Sequence, residues 1–129
     1  MDNVNPAAKK ILVIDDEGDI LKLARTRLKA SGYQVITLDN GEIAVETVKS
    51  EKPDIILLDV KMPGKDGYDV CKELKNDQAT RKIPIIIFTA YYLKADEVKI
   101  KSALAYADDY ILKPFESQAL LAKIKLLLK

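Results

Sequence analysis

Five short apolar runs recur along the chain, each followed by a stretch in which apolar residues return every three or four positions. The runs are ILVID (11–15), YQVITL (33–38), DIILLD (54–59), IPIIIFT (83–89) and DYIL (109–112). The first, third and fourth are almost continuously apolar and rich in Ile and Leu. That is the pattern of central parallel strands covered on both faces. The second and fifth are more polar, which places them nearer the sheet edges.

Between the runs the period changes from strand to helix. Ile20, Leu21, Ala24 and Leu28 mark one helical face, ended by Gly32 as a C-cap. Residues 41–50 read as a second helix through Ile43, Ala44 and Val48, stopped ahead of Pro53. Val70, Cys71 and Leu74 mark a third, residues 93–105 a fourth, and Leu120, Leu121, Ile124, Leu127 and Leu128 a fifth. Strands alternating with helices through right-handed crossovers give a parallel sheet with helices on both faces. The reading is one α/β domain, without repeats or linkers.

Composition narrows the chemistry. The chain has 129 residues, enough to bury a single core, with one cysteine, no histidine and a net charge of +1. One cysteine excludes an internal disulfide. The lack of histidine removes the usual partner of a zinc-bound thiolate and the usual base for a serine or cysteine nucleophile. Cys71, between Val70 and Leu74, reads as a small buried hydrophobe. The lysines sit among acids or along helix faces, as in KELKND and LAKIKLLLK, and read as solvated faces rather than a nucleic-acid patch. No apolar run approaches the roughly 18 residues of a membrane span, and MDNVNPAAKK lacks a signal-peptide core. A reducing cytoplasm fits these features.

The acids carry the sharper signal. In IILLDVKMPGKDG (55–67) an oily strand runs straight into Asp59, although a carboxylate near a core is costly unless something compensates it. In a doubly wound sheet, ligands bind at the carboxyl ends of strands. Those ends carry Asp15 and Asp16, Asp59, Thr89, and Lys113 ahead of Pro114. Each alone has an ordinary structural reading: DDEGD as a turn and N-cap, Asp59 as a loop cap, Thr89 as a strand end, Lys113 as surface. Their convergence on one rim is what needs a function. Carboxylates about 5 Å apart repel by about 3 kcal/mol per pair at an effective dielectric near 20. Such a cluster is tolerable when it holds a hard cation such as Mg²⁺. A lysine and a hydroxyl at the same point suit a transferred phosphoryl group, with Asp59 as the nucleophile.

The set VIDDE, IILLDVKMPGKDGYD, IIIFTA and DDYILKPF resembles the receiver domain of two-component response regulators, in family order over nearly the whole chain. The resemblance implies a flavodoxin-like (βα)5 fold with strand order 2-1-3-4-5, an N-terminal extension over 1–9 and a receiver domain over 10–129. It implies Asp59 as phosphoacceptor and Mg²⁺ held by Asp15, Asp16, Asp59 and the backbone carbonyl of Lys61. Thr89 and Tyr110 match the switch pair, and Lys113 the lysine that contacts phosphate. The implied partners are a histidine kinase or histidine phosphotransfer protein and a downstream protein, with no direct contact to nucleic acid and no membrane. The implied state is a monomer or a phosphorylation-dependent dimer. The chain is then no enzyme in its own right, but assists its own Mg²⁺-dependent phosphorylation and dephosphorylation.

Three positions depart from the commonest family pattern: Tyr106 stands where a glycine is usual, and Lys61 and Tyr91 occupy positions that modulate phosphate lifetime. Lys61 can reach a phosphate oxygen and Tyr91 adds bulk without a base, which implies a long-lived phospho-form. With no DNA-binding module after the fifth helix, output is expected through the face of the fourth helix, fifth strand and fifth helix, where Tyr92, Ile100 and Tyr106 are apolar candidates. A phosphatase of the haloacid-dehalogenase type would carry its nucleophile on the first strand in an Asp-x-Asp arrangement, and the adjacent aspartates here do not match. A degenerate receiver acting as a scaffold would lack an acid, the threonine or the lysine, and none is missing. The glycines at 18, 32, 41, 64 and 67 form neither G-x-G-x-x-G nor a Walker loop.

Overall fold

The computed structural model describes residues 8–89, 106–113 and 115–128. Five parallel strands, β1 (Lys10–Ile14), β2 (Gln34–Leu38), β3 (Ile55–Asp59), β4 (Ile85–Thr89) and β5 (Asp109–Leu112), form one sheet in the order 2-1-3-4-5. Three helices, α1 (Gly18–Ala30), α2 (Ala44–Glu51) and α3 (Gly67–Asn76), and a C-terminal helix (Ser117–Leu127) pack against it. The expected helix over 93–105, with Tyr91, Tyr92 and Ile100, lies outside the described residues.

Alternation along the strands builds two cores. Leu12, Ile14, Ile56, Leu58, Ile85 and Ile87 face α2 and α3 through Ala44, Val48, Val70, Cys71 and Leu74. Ile11, Val13, Ile55, Leu57, Ile86 and Phe88 face α1 and the C-terminal helix through Ala24, Leu28, Leu120 and Ile124. β1, β3 and β4 are therefore apolar on both sides, and burying each such side chain contributes about 1.5–3 kcal/mol. β2 is only half-buried, and Tyr110 and Leu112 of β5 are exposed, as edge positions require.

Two helix ends differ from the sequence pattern. Ile43 is no core residue: it is the N-cap of α2 and exposed, because residues 41–43 are spent in a turn closed by the Ala44 N–H on the Gly41 carbonyl. α2 then ends on Lys52 in the left-handed region (φ 49°), an uncommon conformation for a side-chain-bearing residue, just ahead of buried Pro53. α1 closes as expected, with Gly32 at φ 95° just past the Ser31 cap.

Candidate active site

Asp15, Asp59, Thr89 and Lys113 stand at the carboxyl end of the sheet, whereas Tyr110 lies earlier in β5, in register with Ile87 of β4. Asp15 continues β1, its N–H donating to the Leu38 carbonyl at 3.0 Å. Asp59 is the last residue of β3, in register with Phe88 of β4, and Thr89 is in register with Leu112. Lys113 follows directly on β5.

The chain beyond Asp59 is held tightly. The Val60 N–H donates to the Phe88 carbonyl at 3.3 Å, and the Gly67 N–H to the Val60 carbonyl at 2.8 Å. Buried Val60 and Met62 anchor the loop. The Asp66 carboxylate caps α3 by accepting the Asp69 N–H at 3.0 Å. A Cβ at Gly67 would lie 2.0 Å from the Asp59 carbonyl oxygen, so only glycine lets α3 start this close to the strand. Asp59 thus ends an oily strand because the strand is a rigid mount for a carboxylate.

Lys113 is the electrostatic centre. Its Nζ lies 2.6 Å from Asp15 Oδ2, 3.0 Å from Glu17 Oε1 and 3.4 Å from Asp59 Oδ1, and its side chain is 8% exposed. Burial alone would lower the lysine pKa, but hydrogen bonding to the acids, Asp15 before Glu17, together with the charges of Asp59 and Asp15, raises it and keeps the ammonium charged. Asp59 is pushed up to about 7, chiefly by burial and then by the charge of Asp15, with Lys113 opposing. Asp15 is raised too, by burial, against the pull of Lys113 and the Glu17 N–H.

Glu17 is the member that the sequence did not single out. One carboxylate oxygen from each of Asp15, Glu17 and Asp59 lies within 4.8 Å of the others. Asp16 is exposed and outside this group, though its charge also raises the Asp59 pKa. Lys61 is exposed. Tyr110 is 48% exposed, with Lys123 Nζ 5.9 Å from its ring centroid. Tyr106 is half-buried and meets Tyr68 of α3 edge to face, centroids 6.3 Å apart.

The donor set fits a hard divalent cation. Asp15 Oδ2 is fully buried, with the Lys113 ammonium 2.6 Å away. Three carboxylate oxygens within 4.8 Å of one another, sharing one ammonium, are a hard-donor set that suits Mg²⁺.

The chain belongs to the response regulator receiver domain family, whose model matches residues 11–125. It is 45% identical over 121 residues to the "Probable transcriptional regulator ycf27" of Cyanophora paradoxa, a match covering 94% of this chain and 48% of that protein. The chain spans about half the length of the curated relatives it matches. Among solved structures it is similar to the receiver domain of a signal transduction histidine kinase from Syntrophus aciditrophicus, with a TM-score of 0.86, 35% identity and coverage of 94% and 90% of the two chains. The receiver domain of a Pseudomonas aeruginosa sensor histidine kinase, described with magnesium coordinated in its active site cleft, matches with a TM-score of 0.85 at 28% identity, covering 95% of this chain and 98% of that one. The names of the longer relatives speak of transcription, which runs in part against the expectation of no direct contact to nucleic acid. Among the described residues no helix is long and apolar enough to cross a membrane.

Proposed function

We propose that this domain is a cytoplasmic phosphorylation switch that accepts a phosphoryl group on Asp59 from a phosphohistidine of a histidine kinase or histidine phosphotransfer protein. The observation that carries this reading is the nearly buried Asp59 carboxylate at a strand tip, 3.4 Å from an ammonium that is itself held by Asp15 and Glu17. In the transfer an Asp59 oxygen attacks phosphorus, the P–N bond to the donor imidazole breaks, and the imidazole leaves with the electron pair and takes up a proton. Lys113 is placed to pair with the phosphoryl oxygens as negative charge gathers on them. Mg²⁺, held by Asp15, Asp59 and the family positions Asp16 and the Lys61 carbonyl, would neutralise the same oxygens and favour the ionised form of Asp59.

These 129 residues include no histidine, so the donor imidazole lies outside this domain, and the domain assists a transfer it does not initiate. The Thr89 and Tyr110 pair would carry the change to the face of β5 and the C-terminal helix, and exposed Tyr110 suits the resting state. A full swing of such an equilibrium needs about 5.5 kcal/mol of differential stabilisation, so the active form is partly populated beforehand. Output passes to a protein or to a second copy, and where the domain sits in a longer regulator, DNA contact falls to other parts of that chain. Incubation with Mg²⁺ and acetyl phosphate should add one phosphoryl group by intact mass. Addition that survives Asp59→Asn, or none with Mg²⁺ present, would overturn the assignment.

A further inference from the structure

Glu17 occupies the N-cap of α1, where an acidic side chain ordinarily accepts a hydrogen bond from the first turn, yet it makes no such bond. Its backbone N–H is already committed to Asp15 Oδ1 at 2.9 Å. The side chain instead accepts from Lys113 Nζ at 3.0 Å, across 96 residues of sequence. Of the three carboxylates around that ammonium, those of Asp15 and Asp59 are 0% and 7% exposed, whereas that of Glu17 is 60% exposed and marks the mouth of the site.

We propose that Glu17 is a positioning residue for Lys113. It takes a share of the ammonium and holds Nζ 3.4 Å from Asp59 Oδ1, so that the Asp59 carboxylate stays open to a divalent cation and the ammonium faces an arriving phosphoryl group. Without Glu17 the ammonium settles wholly on Asp15 and Asp59, the groups the cation needs, and holds it off. Charge acts in the same direction. Three carboxylates share this one ammonium with Asp16 nearby, and neutralising Glu17 lowers the negative charge that attracts a divalent cation. Asp15 Oδ2 already has the ammonium at 2.6 Å, so Asp59 is the acid that the Glu17 contact leaves open. The inference rests on the phosphoacceptor reading and adds to it a residue that acts through another.

The test is the equilibrium affinity for Mg²⁺ alone, by titration calorimetry at pH 8, without phosphodonor. Glu17→Gln and Glu17→Ala should each weaken binding roughly fivefold to thirtyfold, the size expected when a unit positive charge moves closer to the cation's own ligands. Their unfolding midpoints without Mg²⁺ should stay close to wild type, since the side chain caps nothing. In a Lys113→Met background the same Glu17→Gln change should weaken binding by less than about threefold, because the ammonium it positions is gone. Wild-type affinity in Glu17→Gln overturns the inference while leaving the phosphoacceptor reading intact. An undiminished loss in the Lys113→Met background overturns the positioning role in favour of bare charge. Failure of the wild type to bind Mg²⁺ at all sinks both the inference and the site reading on which it stands.

Discussion

A side chain on Gly67 would begin 2.0 Å from the carbonyl oxygen of Asp59 and 2.8 Å from the Val60 Cα. Both contacts are to backbone, which cannot swing aside as a flexible side chain can. Gly67→Ala must therefore push α3 away from the tip of β3, at a cost of about 1–3 kcal/mol. The expected result is a fall in the unfolding midpoint of roughly 3–12 °C, together with slower phosphorylation by acetyl phosphate, because the strand tip moves with its carboxylate. An Ala variant that melts with the wild type would show the helix free to yield.

The pH dependence follows from Asp59. Its carboxyl titrates at about 7 in the metal-free fold against 3.8 ordinarily, through burial first and the charge of Asp15 second. Between those values the folded chain holds a proton that the unfolded chain has released. Stability from this group therefore declines as pH rises through that window and is flat above it. Asp59→Asn removes the penalty, so its gain in unfolding midpoint over wild type should be several degrees larger at pH 8 than at pH 5. Mg²⁺ should narrow the gap at pH 8. Equal gains at both pH values would place the carboxylate in a less desolvated setting.

Tyr106 stands where the family usually has glycine, and its ring meets Tyr68 edge to face. Such a pair contributes about 0.5–1.5 kcal/mol beyond the area it buries. Tyr106→Phe keeps the ring and should leave stability nearly unchanged, whereas Tyr106→Gly loses it. A double-mutant cycle with Tyr68→Ala should show a coupling of about 0.5–1 kcal/mol in denaturant unfolding. Strictly additive losses would mean that the rings are neighbours without being partners.

The lifetime of the acyl phosphate is set by access of water in line behind phosphorus. Lys61 and Tyr91, at the positions that modulate this step in the family, offer no carboxylate or amide to orient that water. A phospho-form lasting minutes to hours is expected, and Lys61→Asn combined with Tyr91→Glu should lose the phosphoryl group faster. Decay of the double variant at the wild-type rate, followed by intact mass, would remove these two positions from the clock.

The Ile- and Leu-rich runs made the sheet legible because burial on two faces leaves no polar alternation to misread: Ile11 and Val13 serve one core, Leu12 and Ile14 the other. Asp59 and Lys113 were legible because each interrupts such a run at its end. Glu17 was not. An acid just before a helix has a sufficient local explanation in capping, and its actual partner lies 96 residues away. Nor was the need for Gly67, which is a close approach of backbones rather than an unusual φ. Ile43 reads as helix face because hydropathy does not register that Gly41 must press against the Lys65 carbonyl, spending a turn before α2 starts.

The opposite, amino end of the sheet holds a second lysine hub. Asp108 Oδ2 accepts from the Ile85 N–H at 2.8 Å while its own N–H donates to the Ile85 carbonyl at 2.9 Å. Lys75 Nζ meets the same carboxylate at 2.8 Å and the carbonyls of Arg81 and Ile83 at 3.2 and 2.9 Å. The start of β5 is thereby riveted to β4 and to the tail of α3, while its far end carries the exposed Leu112 into Lys113. A strand fastened at one end and loaded at the other behaves as a lever with its fulcrum at Asp108. Small displacements around the Lys113 ammonium would then be largest at the carboxyl tip of β5 and die away toward the rivet, confining the moving part of the surface to the half of the domain that holds Asp59 and Lys113.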